Sequence, residues 1–418
     1  MSITRRDLLA SAAASLASPA IAQGAAGRVV VIGGGFGGAT CARFLKAIEP
    51  RLDVTLVEAN PTFTACPFSN EVIVGLRDMT EQAFGYEGLR KAGVALALQM
   101  ATAVDSSGRT VSLADGTKLS YDRLVLSPGV DMDWSGLPGY TQAAAELMPH
   151  AWKAGEQTML LRRQLEAMPD GGTVVISAPA NPFRCPPGPY ERASLIAWHL
   201  KTKKPKSKLI LLDAKDAFSK QRLFQNAWKA LYPGLLEWVS LSSGGKVNSV
   251  DPQTMTLTTD FERYKADVAN VIPPQKAGAI AAIAGVADRS GWCPIDPVSF
   301  ESRLRPGMHV IGDAAIVGAM PKSAFAANAQ GKACAAAVVR LLAGEKPLEP
   351  RLINTCYSIV QPDYGISVAG VYRPEKDLFV DVEGAGGVSP LEASASTRAA
   401  EAAYAHGWFK TITRETFG

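Results

Sequence analysis

The chain of 418 residues lacks three features that would assign it to common functional classes. Beyond the N-terminal region it has no uninterrupted apolar run long enough to span a bilayer, so we expect a soluble mature protein without a membrane span. Lys and Arg total 43 against 39 Asp and Glu, and no basic run is dense enough to indicate a nucleic-acid partner. The sequence Cys-x-x-Cys-His, which attaches a c-type haem, is also absent.

The N-terminus predicts an export signal. Arg5 and Arg6 precede a mildly apolar, alanine-rich stretch that ends in the small-x-small pattern Ala20-Ile21-Ala22. This arrangement is typical of a twin-arginine signal, so we expect cleavage after Ala22 and delivery of the folded protein to the periplasm. The six cysteines all lie beyond that point, and the periplasm is a compartment that permits disulfides.

A dinucleotide-binding motif follows the first buried strand, which is predicted at residues 29–32. The glycines of this motif are Gly33 for a tight turn, Gly35 for close approach to a pyrophosphate, and Gly38 for helix–strand contact. A helical stretch and a second strand come next, and Glu58 ends that strand at the place of the ribose-binding acid. The complete context predicts a dinucleotide whose pyrophosphate lies at the helix N-terminus.

A second cofactor motif lies far downstream, where a predicted buried strand ends in Gly312-Asp313. In flavoproteins with two dinucleotide-binding domains, such an aspartate binds the ribityl chain of FAD, and the next helix points its N-terminus at the isoalloxazine ring. The alanine-rich residues 323–342 are predicted to form that helix. Residues 121–129 resemble the segment that leads to the second domain in flavin disulfide reductases. These motifs predict an FAD domain that is split by an inserted domain.

The inserted segment predicts a second Rossmann-like unit with an altered nucleotide turn. Its strands are predicted at residues 173–176 and 209–213, but the turn at residues 177–188 is rich in proline and poor in glycine. Prolines remove amide donors, and side chains obstruct the approach of a pyrophosphate. We therefore expect no NAD(P)H site here, so electrons must come from another donor.

The predicted fold class is α/β, with two Rossmann-like dinucleotide-binding domains and a C-terminal interface domain. The FAD domain is split, and the NAD-like domain is inserted into it. The expected boundaries are 1–27 for the signal and linker, 28–150 and 271–345 for the FAD domain, 151–270 for the NAD-like domain, and 346–418 for the C-terminal domain that covers the flavin and contacts a partner.

Cysteines are the remaining candidates for electron entry. Cys185 lies at the altered turn, and Cys356 lies in the segment expected to cover the flavin. Glu191 follows Cys185 by six residues and is a candidate to manage protons there. The residues alone do not determine which of the six cysteines pair, and burial as a small hydrophobic side chain is the default for a cysteine. We expect that structural role for Cys41, Cys293 and Cys334.

Several long and unusual sequence blocks resemble a known family. They are residues 64–73, 149–157, 183–192, 291–294, 354–359 and 416–418. Through them the chain resembles, over nearly its whole mature length, the flavoprotein subunit of flavocytochrome c sulfide dehydrogenase. The resemblance implies an FAD-dependent sulfide–cytochrome c reductase that makes sulfur or polysulfide and passes electrons to a c-type cytochrome subunit. Because this chain has no haem attachment sequence, the haem is expected in that partner.

The resemblance also implies a role for each matching residue. Cys66 corresponds to the cysteine that forms a thioether with the 8α-methyl group of FAD, so the flavin is expected to be covalent. Cys185 and Cys356 correspond to a redox-active disulfide beside the isoalloxazine ring. Glu191 corresponds to a glutamate proposed as an acid/base, and Trp408 to an aromatic side chain near the ring. No metal ligand is implied.

Two other functions remain open at this stage. A sulfide:quinone oxidoreductase would share the fold and the cysteine chemistry, but it needs a hydrophobic quinone channel and an amphipathic C-terminus that lies on the membrane. The tail at residues 404–414 is short and has only a modest apolar face, which disfavours this function. A non-catalytic flavoprotein accessory to sulfur oxidation is disfavoured by the presence of both Cys185 and Cys356.

Overall fold

The computed structural model describes residues 26–418. The predicted twin-arginine signal, with its cleavage after Ala22, lies outside the described residues. In chain order, the strands of the described part are β1 (Arg28–Ile32), β2 (Asp53–Val57), β3 (Phe63–Thr64), β4 (Ala83–Phe84), β5 (Ala95–Ala97), β6 (Ala101–Asp105), β7 (Thr110–Leu113), β8 (Lys118–Ser120), β9 (Arg123–Leu126), β10 (Val130–Met132), β11 (Thr173–Ala178), β12 (Lys208–Asp213), β13 (Leu236–Val239), β14 (Ser249–Asp251), β15 (Thr256–Thr258), β16 (Arg263–Lys265), β17 (Val268–Val271), β18 (Gln275–Ala277), β19 (Cys293–Pro294), β20 (Met308–Val310), β21 (Ala315–Ile316), β22 (Leu352–Gln361), β23 (Tyr364–Glu375), β24 (Leu378–Asp381) and β25 (Gly387–Val388).

The α-helices of the same part connect these strands and cover the sheets. They are α1 (Phe36–Ile48), α2 (Ser69–Ile73), α3 (Glu87–Lys91), α4 (Glu156–Ala167), α5 (Gly188–Lys203), α6 (Gln221–Leu231), α7 (Ile280–Ile283), α8 (Ala324–Leu342) and α9 (Ala395–Phe417). No helix between residues 26 and 418 is both long and apolar enough to cross a membrane.

The first sheet is parallel and has the strand order β20-β9-β1-β2-β5. Its central strand β1 is a run of valines and isoleucine that is buried on both faces, as a parallel sheet covered by helices requires. The strand β20 comes from the far side of the inserted segment, so one sheet is built from two separated stretches of chain. The carboxyl ends of β1, β2, β9 and β20 meet at one edge, which gathers the turns that follow them.

The helices α1 and α8 pack against each other beside this sheet. They approach closely because Gly331 of α8 faces α1, where a β-carbon would lie only 2.6 Å from the Gly37 carbonyl oxygen. Cys41 and Cys334 are fully buried in this helix pair, and Cys293 is fully buried elsewhere in the core. The expected structural role of these three cysteines is confirmed in that each packs inside the core.

The second sheet is also parallel, with the order β13-β12-β11-β17, and it forms the inserted unit. A third, antiparallel sheet follows, in which β22 and β23 form a long hairpin that is extended by β24 and β25. The strand β22 packs against α5 of the inserted unit and against α8 of the first unit, and α9 covers the hairpin. The predicted fold class, two Rossmann-like units with a C-terminal interface unit, is confirmed.

Candidate active site

A cavity of about 600 Å³ lies at the carboxyl edge of the first sheet. Its walls come from the glycine turn after β1, the segment around Cys66, the turn before α5, the strand β22 and the helix α9. All of the predicted site residues except Gly38 line this cavity, namely Gly33, Gly35, Glu58, Cys66, Cys185, Glu191, Asp313, Cys356 and Trp408. The structure therefore brings into one place residues that are dispersed over most of the chain.

The glycine turn has the geometry that the motif predicts. Gly33 has a φ of +100°, a conformation that residues with side chains rarely adopt. Gly38 lies behind the cavity wall, where a β-carbon would overlap the Gly33 carbonyl oxygen, so only glycine lets the helix approach the strand. Glu58 accepts hydrogen bonds from the amide of Gly34 at 2.8 Å and from the amide of Asn60 at 3.0 Å. The acid thus lies directly beside the turn.

Asp313 presents a buried hydrogen-bond acceptor to the cavity, as an FAD site requires. Its side chain lines the cavity, and its buried Oδ1 atom has no hydrogen-bond partner among the residues that the structure describes. Burial raises the pKa of Asp313, while the positive charges of Arg184 and Lys322 act in the opposite direction. A buried acceptor without a partner, at the end of β20, fits the hydroxyl groups of a ribityl chain.

The N-terminus of α8 also faces the cavity. Ser323 caps this helix by accepting a hydrogen bond from the amide of Ala326 at 3.0 Å, and both Ser323 and Ala324 line the cavity wall. The positive end of a helix stabilises negative charge nearby. Together with the glycine turn, this cradle of amides and the free Asp313 acceptor fit a flavin dinucleotide.

Cys66 lies in the short connection between β3 and α2, on the cavity wall. Its Sγ atom is 3.8 Å from the carbonyl oxygen of Trp152, and its own carbonyl accepts a hydrogen bond from the amide of Ser69 at 3.0 Å. Phe68 has a φ of +67°, which turns the chain sharply after the cysteine. The thiol is therefore presented to the cavity by a tightly folded loop.

Cys185 and Cys356 reach the cavity from two different units. Cys185 lies in the turn before α5 with a φ of +56°, and its amide donates to the carbonyl oxygen of Lys322 at 2.8 Å. Cys356 lies on β22, where Nδ2 of Asn354 is 3.2 Å from its Sγ atom. Both side chains are free thiols in this structure. Burial and the negative charge of Glu191 raise the pKa of the Cys185 thiol.

Glu191, on the first turn of α5, joins the inserted unit to its neighbours. Its Oε2 atom accepts a hydrogen bond from Nδ2 of Asn70 at 3.1 Å, and its Oε1 atom accepts one from the amide of Ile359 at 2.9 Å. Burial raises the pKa of Glu191, and the hydrogen bond from Ile359 and the charge of Lys220 oppose that change. A buried carboxyl group whose pKa is raised in this way is a candidate to hold or release a proton during a reaction.

Arg192 is a buried site residue that the sequence analysis missed. Its guanidinium donates to Oδ1 of Asn70 at 2.9 Å and to Oδ1 of Asn270 at 3.0 Å, and it also binds the carbonyl oxygens of His150 and Ala151. Burial lowers the pKa of Arg192 to about 10. This network connects helix α2, which carries Asn70, to strand β17, which carries Asn270, and to the cavity wall at Ala151. Its signal in the sequence was the block 183–192, in which it is the final residue.

Lys220 is a second missed residue, because no motif surrounds it in the sequence. It precedes α6, and its buried Nζ atom donates to the carbonyl oxygen of Cys356 at 2.7 Å and to Oγ of Ser358 at 2.8 Å. Arg184, which flanks Cys185 in the sequence, also lines the cavity. Positive side chains thus approach the cysteines from two directions.

Trp408 belongs to an aromatic group on the C-terminal helix. Its ring is stacked with that of Phe325 at a centroid distance of 6.1 Å, and it lies 5.9 Å from the ring of Tyr357. On the same helix, His406 lies 4.8 Å from the ring of Phe68, close to the loop that holds Cys66. The helix α9 is thereby fastened over the cavity.

In the second sheet, the acid at the expected nucleotide position is buried and bound by protein side chains. Asp213 ends β12, where a ribose-binding acid would be expected, but it is fully buried. Its carboxylate accepts hydrogen bonds from Lys215 at 2.6 Å, from Tyr190 at 2.7 Å and from Trp238 at 3.0 Å. Phe183, in the altered turn, is also buried. The acid is thus engaged inside the protein, which supports the prediction that NAD(P)H does not bind here.

The fold and the site define a flavin-binding oxidoreductase with two dinucleotide-binding domains. Residues 27–167 match the family model described as pyridine nucleotide-disulphide oxidoreductase. Residues 158–273 match the central region of the "Sulfide dehydrogenase (flavocytochrome c) flavoprotein chain" family, and residues 348–417 match "Flavocytochrome c sulphide dehydrogenase, flavin-binding". The chain belongs to the family of the flavoprotein chain of flavocytochrome c sulfide dehydrogenase.

Three known proteins illustrate the similarity. The sulfide dehydrogenase flavoprotein chain of Chlorobaculum thiosulfatiphilum is 58% identical over 45 residues, which are 11% of this chain and 94% of that sequence. The mitochondrial sulfide:quinone oxidoreductase of Mus musculus is 21% identical over 306 residues, or 68% of this chain and 65% of that relative. The crystal structure of the Aquifex aeolicus sulfide:quinone oxidoreductase superposes with a TM-score of 0.72 at 18% identity, covering 93% of this chain and 92% of that one, which shows a shared fold.

Proposed function

We propose that this chain oxidises sulfide through a redox-active disulfide between Cys185 and Cys356 and passes the electrons through covalent FAD to a c-type cytochrome. The observation that carries this proposal is the shared cavity. The two cysteines, Glu191 and the flavin-binding motifs line the same space, although they come from three separate units of the fold. Membership of the sulfide dehydrogenase flavoprotein family supports the choice of substrate.

FAD is the cofactor of this family, and the described residues fit it. The groups that would hold it are Gly33, Gly35, Glu58, Asp313 and Trp408, with Cys66 as the proposed covalent attachment. When bound, a flavin accepts two electrons at once and releases them singly, which suits a reaction between a two-electron donor and a haem. The helix end at Ser323 and Ala324 supplies positive potential at the same wall.

The sulfide chemistry is performed by the chain's own residues. Hydrosulfide attacks one sulfur of the disulfide, the bond between the two cysteine sulfurs breaks, and the products are a cysteine persulfide and a thiolate. Glu191 is positioned to manage the accompanying proton, because it is buried at the cavity wall and held by Asn70 and Ile359.

We also propose that the protein is exported to the periplasm, where its disulfide would be protected from cytoplasmic thiols. Cell fractionation of the full chain tests the export.

The electron acceptor distinguishes this proposal from its alternatives. The absence of a haem attachment sequence leaves a cytochrome partner as the source of haem, and the named relative is the flavoprotein chain of a flavocytochrome. The structural likeness to a sulfide:quinone oxidoreductase makes a quinone the second candidate acceptor. A non-catalytic accessory flavoprotein remains the alternative from a different class.

An anaerobic sulfide titration tests the proposal. We expect sulfide to bleach the flavin absorbance of the holoprotein, and cytochrome c to restore it faster than a soluble quinone analogue does. An accessory flavoprotein would keep its absorbance in excess sulfide, and preferential reoxidation by the quinone would identify the second enzyme. Each result therefore selects one of the three functions.

NADH and NADPH are expected neither to reduce the flavin nor to bind measurably. The turn before α5 lacks the glycines of a nucleotide motif. The carboxylate of Asp213 already accepts hydrogen bonds from Lys215, Tyr190 and Trp238. Anaerobic mixing of the holoprotein with either nucleotide, followed by its flavin spectrum, makes the measurement. Rapid bleaching by NADH or NADPH would show that this reading of the second sheet is wrong.

A further inference from the structure

Lys220 reaches the catalytic strand from the inserted unit. Its Nζ atom donates to the carbonyl oxygen of Cys356 and to Oγ of Ser358, both on β22, at 2.7 and 2.8 Å. Only 9% of the residue is exposed. A buried ammonium group is costly unless other charges compensate for its lost hydration. The position of Lys220 next to Cys356 therefore suggests that a negative charge forms there during the reaction.

The backbone at Lys220 is constrained in the same way as the backbone at Cys185. Their φ angles are +63° and +56°, in the left-handed region that residues with a β-carbon seldom occupy. Phe68 and Ala151, on the cavity wall, share this feature. Such conformations persist where the surrounding structure enforces them, and they are concentrated at functional sites. Lys220 is thus held in a sparsely populated backbone conformation directly before α6.

The charges around the two cysteines are distributed unequally. Glu191 is the nearby charge that raises the pKa of the Cys185 thiol most, after burial. Burial lowers the pKa of Lys220, and the interaction with Cys356 is the largest of those that oppose this change. The other ionisable groups that face the pair or Lys220 are Arg184, Arg192, Tyr372 and Glu401. Arg184 and Lys220 also act on Cys185 and lower its pKa, but the hydrogen bonds of the Lys220 ammonium are made to Cys356 and Ser358 on β22.

We propose that Lys220 stabilises the thiolate of Cys356 and thereby directs hydrosulfide to the sulfur of Cys185. This inference rests on the proposed function, which it extends by assigning separate roles to the two cysteines. Lys220 acts as a positioning and charge-stabilising residue, since it binds the backbone and side chain of β22 and no reacting atom directly.

The bond changes balance without an external oxidant. Hydrosulfide forms a bond to Sγ of Cys185 while the bond between Cys185 and Cys356 breaks, and the electron pair of that bond leaves on Cys356. The products are a persulfide on Cys185 and a thiolate on Cys356. Because a more stable thiolate is a better leaving group, the charge of Lys220 favours attack at the other sulfur. The same charge stabilises the opened pair over the disulfide, which raises the reduction potential of the pair.

Labelling of the reduced wild-type holoprotein gives the first test. After reduction with dithiothreitol, iodoacetamide is applied across a pH series, and mass spectrometry quantifies alkylation at each cysteine. We expect Cys356 to react at a lower pH than Cys185, and a substoichiometric sulfide pulse on the oxidised protein to place the persulfide on Cys185. The opposite order of reactivity, or a persulfide on Cys356, overturns the proposal without reference to any variant.

The substitution Lys220→Met removes the charge and keeps the length of the side chain. We expect the midpoint of Cys356 alkylation to lie at a higher pH than in the wild type, since the positive charge that binds its backbone carbonyl is gone. At neutral pH the ratio of disulfide to dithiol in a glutathione buffer should rise about tenfold, which corresponds to a potential about 30 mV more negative. Lys220→Arg, which keeps the charge, should restore most of both changes.

Lys215→Met is the matched control. Lys215 is a buried lysine of the same unit, but it binds Asp213 and the carbonyl oxygen of Pro179. We expect the Cys356 midpoint to stay unchanged in this variant. A folded, flavin-containing Lys220→Met protein with a wild-type Cys356 midpoint would refute the role of Lys220. Because labelling uses chemically reduced protein, it reports on Lys220 even if sulfide fails to reduce the flavin, the result that would refute the proposed function.

Discussion

Replacing Cys356 by serine should abolish sulfide-dependent cytochrome reduction and leave the flavin in place. Serine cannot form a disulfide with Cys185, so hydrosulfide finds no bond to open, and we expect the rate to fall by about three orders of magnitude or more. Nδ2 of Asn354, which is 3.2 Å from the cysteine sulfur, can donate to the serine oxygen instead. The fold around β22 should therefore change little.

Steady-state assays with sulfide and cytochrome c make this measurement, alongside flavin content and reduction by dithionite. Cys185→Ser should behave in the same way, because the two sulfurs form one functional unit. Cys334→Ala is a suitable control, since Cys334 is fully buried in the alanine-rich helix α8 and does not line the cavity. A Cys356→Ser protein that turns over sulfide at nearly the wild-type rate would exclude the disulfide mechanism.

FAD should remain on the polypeptide when the wild-type protein is denatured, and it should be released from Cys66→Ala. The proposed thioether is the only bond of the flavin that survives denaturation, whereas the contacts around Gly33, Glu58 and Asp313 require the folded chain. We expect native Cys66→Ala to keep bound flavin and to lose essentially all of it on acid precipitation. The absorbance of pellet and supernatant gives the result directly.

The Cys185→Ser protein is the control for this experiment, because it alters another cavity cysteine and should leave the thioether intact. Mass spectrometry of the peptide that contains Cys66 locates the attachment. Wild-type protein that precipitates colourless, with all of its flavin in the supernatant, would rule out covalent attachment. Such a result would leave the assignment of Cys185 and Cys356 unaffected, since their chemistry requires bound flavin but no thioether.

The dinucleotide motif was predictable because its parts are neighbours in sequence and in space. The turn at Gly33, the helix after it and the acid Glu58 form one strand–turn–helix–strand unit, whose geometry follows from local backbone preferences. Asp313 was predictable for a related reason. It closely follows the buried strand β20, and parallel strands of one sheet carry their carboxyl ends to the same edge.

The cysteine pair illustrates the limit of such reasoning. The residues alone left the pairing among six cysteines open, and the roles of Cys66, Cys185 and Cys356 came from resemblance to a family. The structure places all three around one cavity, and the packing of β22 against α5 brings the segments of Cys185 and Cys356 together. Whether Cys185 and Cys356 join as a disulfide, and whether Cys66 binds FAD covalently, remain predictions for the experiments above.

The sequence by itself determined the architecture and the cofactor, since hydrophobic runs and glycine turns act over short stretches of chain. Only the tertiary structure decided what surrounds the reacting groups. Lys220 lies in no motif, and the sequence blocks that contain Arg192 and Asn70 do not show what these residues bind, because their contacts join segments that are far apart in sequence. The charge and hydration of a buried side chain depend on every neighbour that packs around it, and those neighbours are defined only once the units have docked.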